Sequence, residues 1–169
     1  MPRRSKAREV VFQILYQDDL NPKVSPSVGE DLLARRLDND ELREFATDLL
    51  SGVRRKRPEI DQRLDGTADN WSVDRMAATD RNALRIGAYE ILFADTPDPV
   101  AVDEAIELAK RYGTAQSAAF VNGILDRLMP GKEKAEHDTG EETRQAEETA
   151  EKPRTETLQQ RAQRLKSRK

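Results

Sequence analysis

Apolar residues in this chain recur every three or four positions, segment after segment, and nowhere alternate with period two. That spacing suits helices with one buried face and supplies no half-buried strand from which to build a sheet, so the expected fold class is all-α. Residues 5–18 carry Ala7, Val10, Val11, Ile14 and Leu15 on one stripe, with Ser5 placed as N-cap. Asn21-Pro22 and Ser25-Pro26 mark a loop, and Val28, Leu32 and Leu33 a short helix over 28–36. Over 40–56 the stripe is Leu42, Phe45, Ala46, Leu49, Leu50 and Val53, capped by Asn39 or Asp40. Pro58 is expected to break or kink that helix, with a short one bearing Ile60 and Leu64 after it and Gly66 ending the unit.

The second half restarts at Trp71, with Ser72 as cap. Residues 80–94 are apolar almost all round, which predicts a helix covered on several sides. Pro97 and Pro99 mark a turn. A helix over 100–112 is stopped by Gly113, and 115–129 follows with Phe120, Val121, Ile124, Leu125 and Leu128. Pro130-Gly131 closes the pattern. The domain organisation predicted is an N-terminal helical subdomain with a basic arm (1–67), a C-terminal helical subdomain (68–131) and a charged tail (132–169).

Composition explains the tail. Charged residues make up 36% of the 169, well above the usual quarter, and they are unevenly placed. After Gly131 the aliphatic side chains larger than alanine are Leu158 and Leu165, too few to offset the entropy of ordering, so the tail is expected to be disordered. Acids outnumber bases eight to two over 133–151, and bases outnumber acids seven to one over 152–169.

Chemistry is constrained by what is missing. There is no cysteine, which removes disulfides, thiolate metal sites and cysteine nucleophiles. The single histidine, His137, sits in the tail. Glu104 and Glu107 lie one helical turn apart with no further metal ligands in view. No glycine-rich phosphate loop or nucleophile motif occurs. No enzyme activity, no metal and no cofactor are therefore expected. The N-terminal apolar run is interrupted by Glu9, Gln13 and Gln17, which does not suit a signal peptide. No run approaches the roughly 18 apolar residues of a membrane span, and a cytoplasmic location is expected.

Two basic clusters remain. Arg3, Arg4, Lys6 and Arg8 open the first helix, with Arg4, Arg8, Phe12 and Tyr16 at i, i+4 steps. Such a cluster beside aromatics suits single-stranded nucleic acid, whose phosphates release counterions and whose bases stack on rings. The alternative is a solvated helix start with both aromatics in the core. Arg54, Arg55, Lys56 and Arg57 are either a second basic patch or cations favoured by a helix C-terminus.

The segments ARE-VVFQILYQ (7–17), DLLSGV (48–53), LRIGAYEIL (84–92), VAVDEAIELAKRYG (100–113) and FVNGILDRL (120–128) together resemble the NusB family of transcription antitermination factors, over roughly residues 3–129. The resemblance implies two small helical bundles packed together. It implies binding to single-stranded boxA-type RNA of ribosomal RNA leaders together with NusE, a small-subunit ribosomal protein, in a complex that helps RNA polymerase resist termination. It implies RNA contacts at Arg3, Arg4, Lys6 and Arg8, at Arg85, and at Gln116, Ser117 and Phe120, with Tyr16 and Asp80 facing NusE. Family members occur as monomers and as homodimers, and the sequence leaves that choice open. Phe120 reads equally as core or as a base contact. Ala119 stands where the family often has a base directly before FVNG, and the tail has no family role. The rival reading is a helical protein–protein adaptor that touches no RNA.

Overall fold

A computed structural model describes residues 3–68 and 70–130. Six helices follow in order: α1 (Arg3–Leu20), α2 (Pro26–Arg36), α3 (Asp40–Thr67), α4 (Ala78–Phe93), α5 (Asp98–Tyr112) and α6 (Ser117–Leu128), with a 3-10 turn at Val73–Arg75 before α4. No strand occurs among the described residues. The expected disordered tail, residues 132–169, lies outside them.

The caps follow the sequence in part. Asn39 caps α3 by accepting from the Leu42 amide at 3.1 Å, satisfying one of the unpaired donors of the first turn. Pro26 opens α2, where its missing N–H is not needed. Ser5 is not a cap: α1 already begins at Arg3, and Ser5 donates instead to Glu104 Oε1 at 2.6 Å. The expected break at Pro58 is absent too, since α3 runs unbroken to Thr67, one residue past Gly66. Ala46, Leu49, Leu50 and Val53 before the proline and Ile60 and Leu64 after it are all buried. Tertiary burial on both sides outweighs the roughly 3 kcal/mol of an interior proline.

The core centres on α4, which touches α1, α3, α5 and α6. Its near-continuous apolar surface is thereby covered, with Ala83, Leu84, Ile86 and Ala88 at zero exposure. Close approach needs small residues here. A Cβ on Gly52 of α3 would lie 2.1 Å from the Tyr89 hydroxyl of α4, and one on Gly87 would lie 2.6 Å from Leu125 of α6. Helices before and after residue 68 share one apolar cluster, from Ala7 and Val10 through Leu64 to Leu125 and Leu128.

Candidate nucleic-acid interface

The first turns of α1 divide the basic arm into two kinds of residue. Arg3 and Arg4 are exposed, and Lys6 is half-buried, 3.4 Å from Glu9. Arg8 is 3% exposed. Its Nε and Nη2 donate to both oxygens of Glu90 on α4 at 2.9 and 2.7 Å, and its Nη1 lies 3.7 Å from Glu104 on α5. Thr96 completes the site by donating to Glu90 at 2.8 Å. A forked, charge-assisted bond of this kind fixes geometry as well as energy. Both Arg4 and Arg8 lie over the ring of Phe45, at 4.9 and 5.1 Å. Arg8 thus ties α1 to the rest of the fold, and Arg4 stands on the outside of the same stack.

Of the i, i+4 line, Phe12 belongs to the core: it is buried and stacks on Tyr112 of α5 at 4.9 Å. Tyr16, four residues on, is exposed and lies 6.5 Å from Phe12. Beside this stack, Tyr112 donates to Glu9 and accepts from Gln13, and Arg111 pairs with Glu9 at 2.9 Å. Burial pushes the Glu9 carboxyl up, but the Tyr112 hydroxyl and the charges of Lys6 and Arg111 prevail and hold it below the usual range. Burial and the bond to Glu9 raise the Tyr112 phenol.

A second exposed feature is aromatic. Phe120 is half-buried in the first turn of α6 and meets Trp71 edge-on, ring centres 6.4 Å apart at 78°. Trp71 is 56% exposed. The pair walls a groove of about 280 Å³ with Ala68, Asn70, Ala119 and Gly123. By sequence Trp71 marks only the restart of the helical pattern. The signal that could have singled it out is a lone tryptophan in a polar turn between Asn70 and Ser72. Gln116 is exposed, but Ser117 is buried and its Oγ accepts from the Thr114 amide at 2.9 Å, closing the α5–α6 turn.

Arg85 is likewise committed within the fold. It is 3% exposed, donates from Nε and Nη2 to Asp61 at 2.8 and 2.9 Å, and lies 3.4 Å from Asp19. Asp19, near the end of α1, also accepts from Arg81 at 2.7 Å and Asn82 at 3.1 Å and lies 3.4 Å from Arg57. Burial raises the Asp19 carboxyl, and the Arg81 hydrogen bond with the charges of Arg85 and Arg81 more than reverses this. Asp80 sits half-buried in the first turn of α4, one carboxylate oxygen enclosed without a partner among the described residues. Of the second basic run, Arg54 pairs with Asp18 at 2.8 Å and Lys56 with Glu59 at 3.0 Å.

Among the described residues no group of three or more His, Asp or Glu is arranged to hold a metal ion, and no helix is long and apolar enough to cross a membrane. The fold and this surface define an all-helical protein with two exposed arginines, Arg3 and Arg4, at the start of α1 and an aromatic pair, Trp71 and Phe120, beside the first turn of α6. The chain belongs to the NusB family, whose profile matches residues 5–130. It is 39% identical over 127 residues to the transcription antitermination protein NusB of Bdellovibrio bacteriovorus, covering 74% of this chain and 93% of that one. It is 37% identical over 129 residues to that of Pseudothermotoga lettingae, covering 76% and 91%. Among solved structures it resembles T. maritima NusB at 39% identity and TM-score 0.68, covering 80% of this chain and 98% of that one. It also resembles a chain in a complex of the antitermination factors NusB and NusE with double-stranded RNA, at 28% identity and TM-score 0.69, covering 76% and 96%.

Proposed function

We propose that this protein is a cytoplasmic transcription antitermination factor that binds boxA-type RNA of ribosomal RNA leaders together with NusE and catalyses no reaction of its own. The family match across residues 5–130, the whole helical fold, carries the reading. It is supported by the complex of related antitermination factors with RNA. Arg3, Arg4 and Lys6 meet phosphates, where displaced counterions give affinity without sequence choice. Phe120, Trp71 and Gln116 meet bases, since an exposed ring offers a stacking face and an amide a hydrogen-bonding edge. Arg8, Arg85 and Ser117 act from beneath. They hold the helices that present the surface, because their own polar groups are already bound within the fold. Tyr16 and Asp80 face NusE, and the protein–RNA unit then joins the RNA polymerase antitermination complex.

Fluorescence anisotropy with a single-stranded boxA RNA and a scrambled RNA, with and without NusE, at several salt concentrations tests this. Preferential binding of boxA, tightened by NusE, is expected. Binding of NusE with no RNA affinity at any salt would favour the adaptor reading instead.

A further inference from the structure

The fold treats its arginines in two ways. Arg8, Arg54, Arg57, Arg81 and Arg85 are each engaged by a carboxylate of the same fold. Arg4 is exposed and has no carboxylate partner among the described residues. What holds it is a ring: its guanidinium carbon lies 4.9 Å from the centre of Phe45 on α3. Phe45 is half-buried against the core and also carries Arg8, at 5.1 Å. The Arg8 charge is balanced by Glu90 at 2.7 Å, so Arg4 can share that ring without facing an uncompensated like charge. Arg3, the other exposed arginine of the arm, has no ring contact among the described residues.

We propose that Phe45 is a positioning residue for RNA binding: its ring holds the Arg4 guanidinium in place while leaving its charge free for a phosphate. The proposal rests on the RNA-binding reading above. A carboxylate would fix the same side chain but cancel its charge. The face of a ring attracts the flat guanidinium and leaves the N–H groups on its edge open to phosphate oxygens. An arginine has many rotamers, and freezing such a side chain on binding lowers affinity by about three- to tenfold. A side chain already resting on a ring loses less freedom at contact. The ring also competes with acids for Arg4. Asp48 lies three residues on from Phe45 in α3, is exposed, and lines one cavity with both Arg4 and Phe45. Without the ring, that carboxylate is available to take up the guanidinium and quench the charge that RNA needs.

The test is a pair of double-mutant cycles on the full-length protein, reading affinity for single-stranded boxA RNA and its scrambled counterpart at several salt concentrations. Phe45→Leu should weaken both RNAs by about three- to tenfold. Phe45→Tyr, which keeps the ring, should bind as wild type does, to within about twofold. In an Arg4→Gln background Phe45→Leu should change affinity by less than about twofold, whereas in an Arg3→Gln background it should keep its full effect. A general loss of stability would act alike in both backgrounds, so it cannot produce that contrast. Thermal unfolding checks that each variant is folded at the assay temperature. Phe45→Met, also without a ring, takes the place of Phe45→Leu if the latter is not. Equal weakening in the two backgrounds overturns the proposal in favour of a ring that stacks on a base itself. Unchanged affinity in Phe45→Leu overturns it and leaves the RNA-binding reading standing. RNA binding absent from the wild type at every salt concentration removes the RNA-binding reading itself, and the proposal with it.

Discussion

Arg4 and Arg8 are one helical turn apart and chemically identical, yet the fold places them in opposite surroundings, Arg4 exposed and Arg8 buried against Glu90. Replacing Arg8 with Ala strips Glu90 of its forked partner in a site where Glu90 is 1% exposed. An abandoned buried charge is costly, so a loss of about 3–5 kcal/mol is expected, read as a lowered midpoint in thermal unfolding. Arg4→Ala should leave that midpoint within about 0.5 kcal/mol and weaken RNA binding instead. Equal loss of stability in the two variants would refute the division. Trp71→Ala should weaken RNA by about 1–3 kcal/mol, the worth of a stacked base, with little change in stability because more than half of the ring is exposed. At this scale the sequence is only half informative. Four bases opening a helix are visible as a cluster. Nothing local shows that Arg8 has a carboxylate waiting 82 positions away, or that Arg85 has one 24 positions back.

Helices are legible where the rule is local and less so where packing decides. The period of Leu42, Ala46, Leu49 and Val53 and the cap at Asn39 can be read directly, whereas the continuity of α3 through Pro58 depends on burial on both sides of it. Pro58 is exposed, so Pro58→Ala should restore the missing backbone bond without disturbing a packed neighbour. It should raise stability by about 2 kcal/mol, the loss of the proline's stiffening of the unfolded chain being the smaller effect. An unchanged or lower unfolding midpoint would show that α3 needs the proline. The end of α1 makes a pH prediction. The Asp19 carboxyl is held below its ordinary value of 3.8 in the fold. A depressed carboxyl contributes stability that is complete above the unfolded value and disappears as pH falls through the folded one. Asp19→Asn should therefore lose stability at neutral pH and converge on wild type as pH falls through the folded-state value, which lies below 3.8. Parallel stability curves down to that pH would show that the ionised form of Asp19 does nothing for the fold.

For the molecule as a whole, the helical part of the sequence and the charged remainder carry separable properties. Deleting residues 132–169 should leave unfolding cooperative and shift the midpoint by only a few degrees, on the order of 1 kcal/mol or less, because those residues offer almost nothing to bury. Tyr16→Asp should give a folded protein by circular dichroism, since the ring is already exposed, and should abolish NusE binding while sparing weak RNA binding. Wild-type NusE affinity in that variant would remove Tyr16 from the partner face. The helix α1 is fastened near both ends, by Arg8 to Glu90 and by Asp19 to Arg81 and Arg85. Ion pairs at both ends resist sliding or swinging of the helix when it meets a ligand. The prediction is that α1 keeps its place on binding and that adjustment falls to the RNA. Association should then follow a single exponential whose rate rises as ionic strength falls, with no slow protein isomerisation after contact.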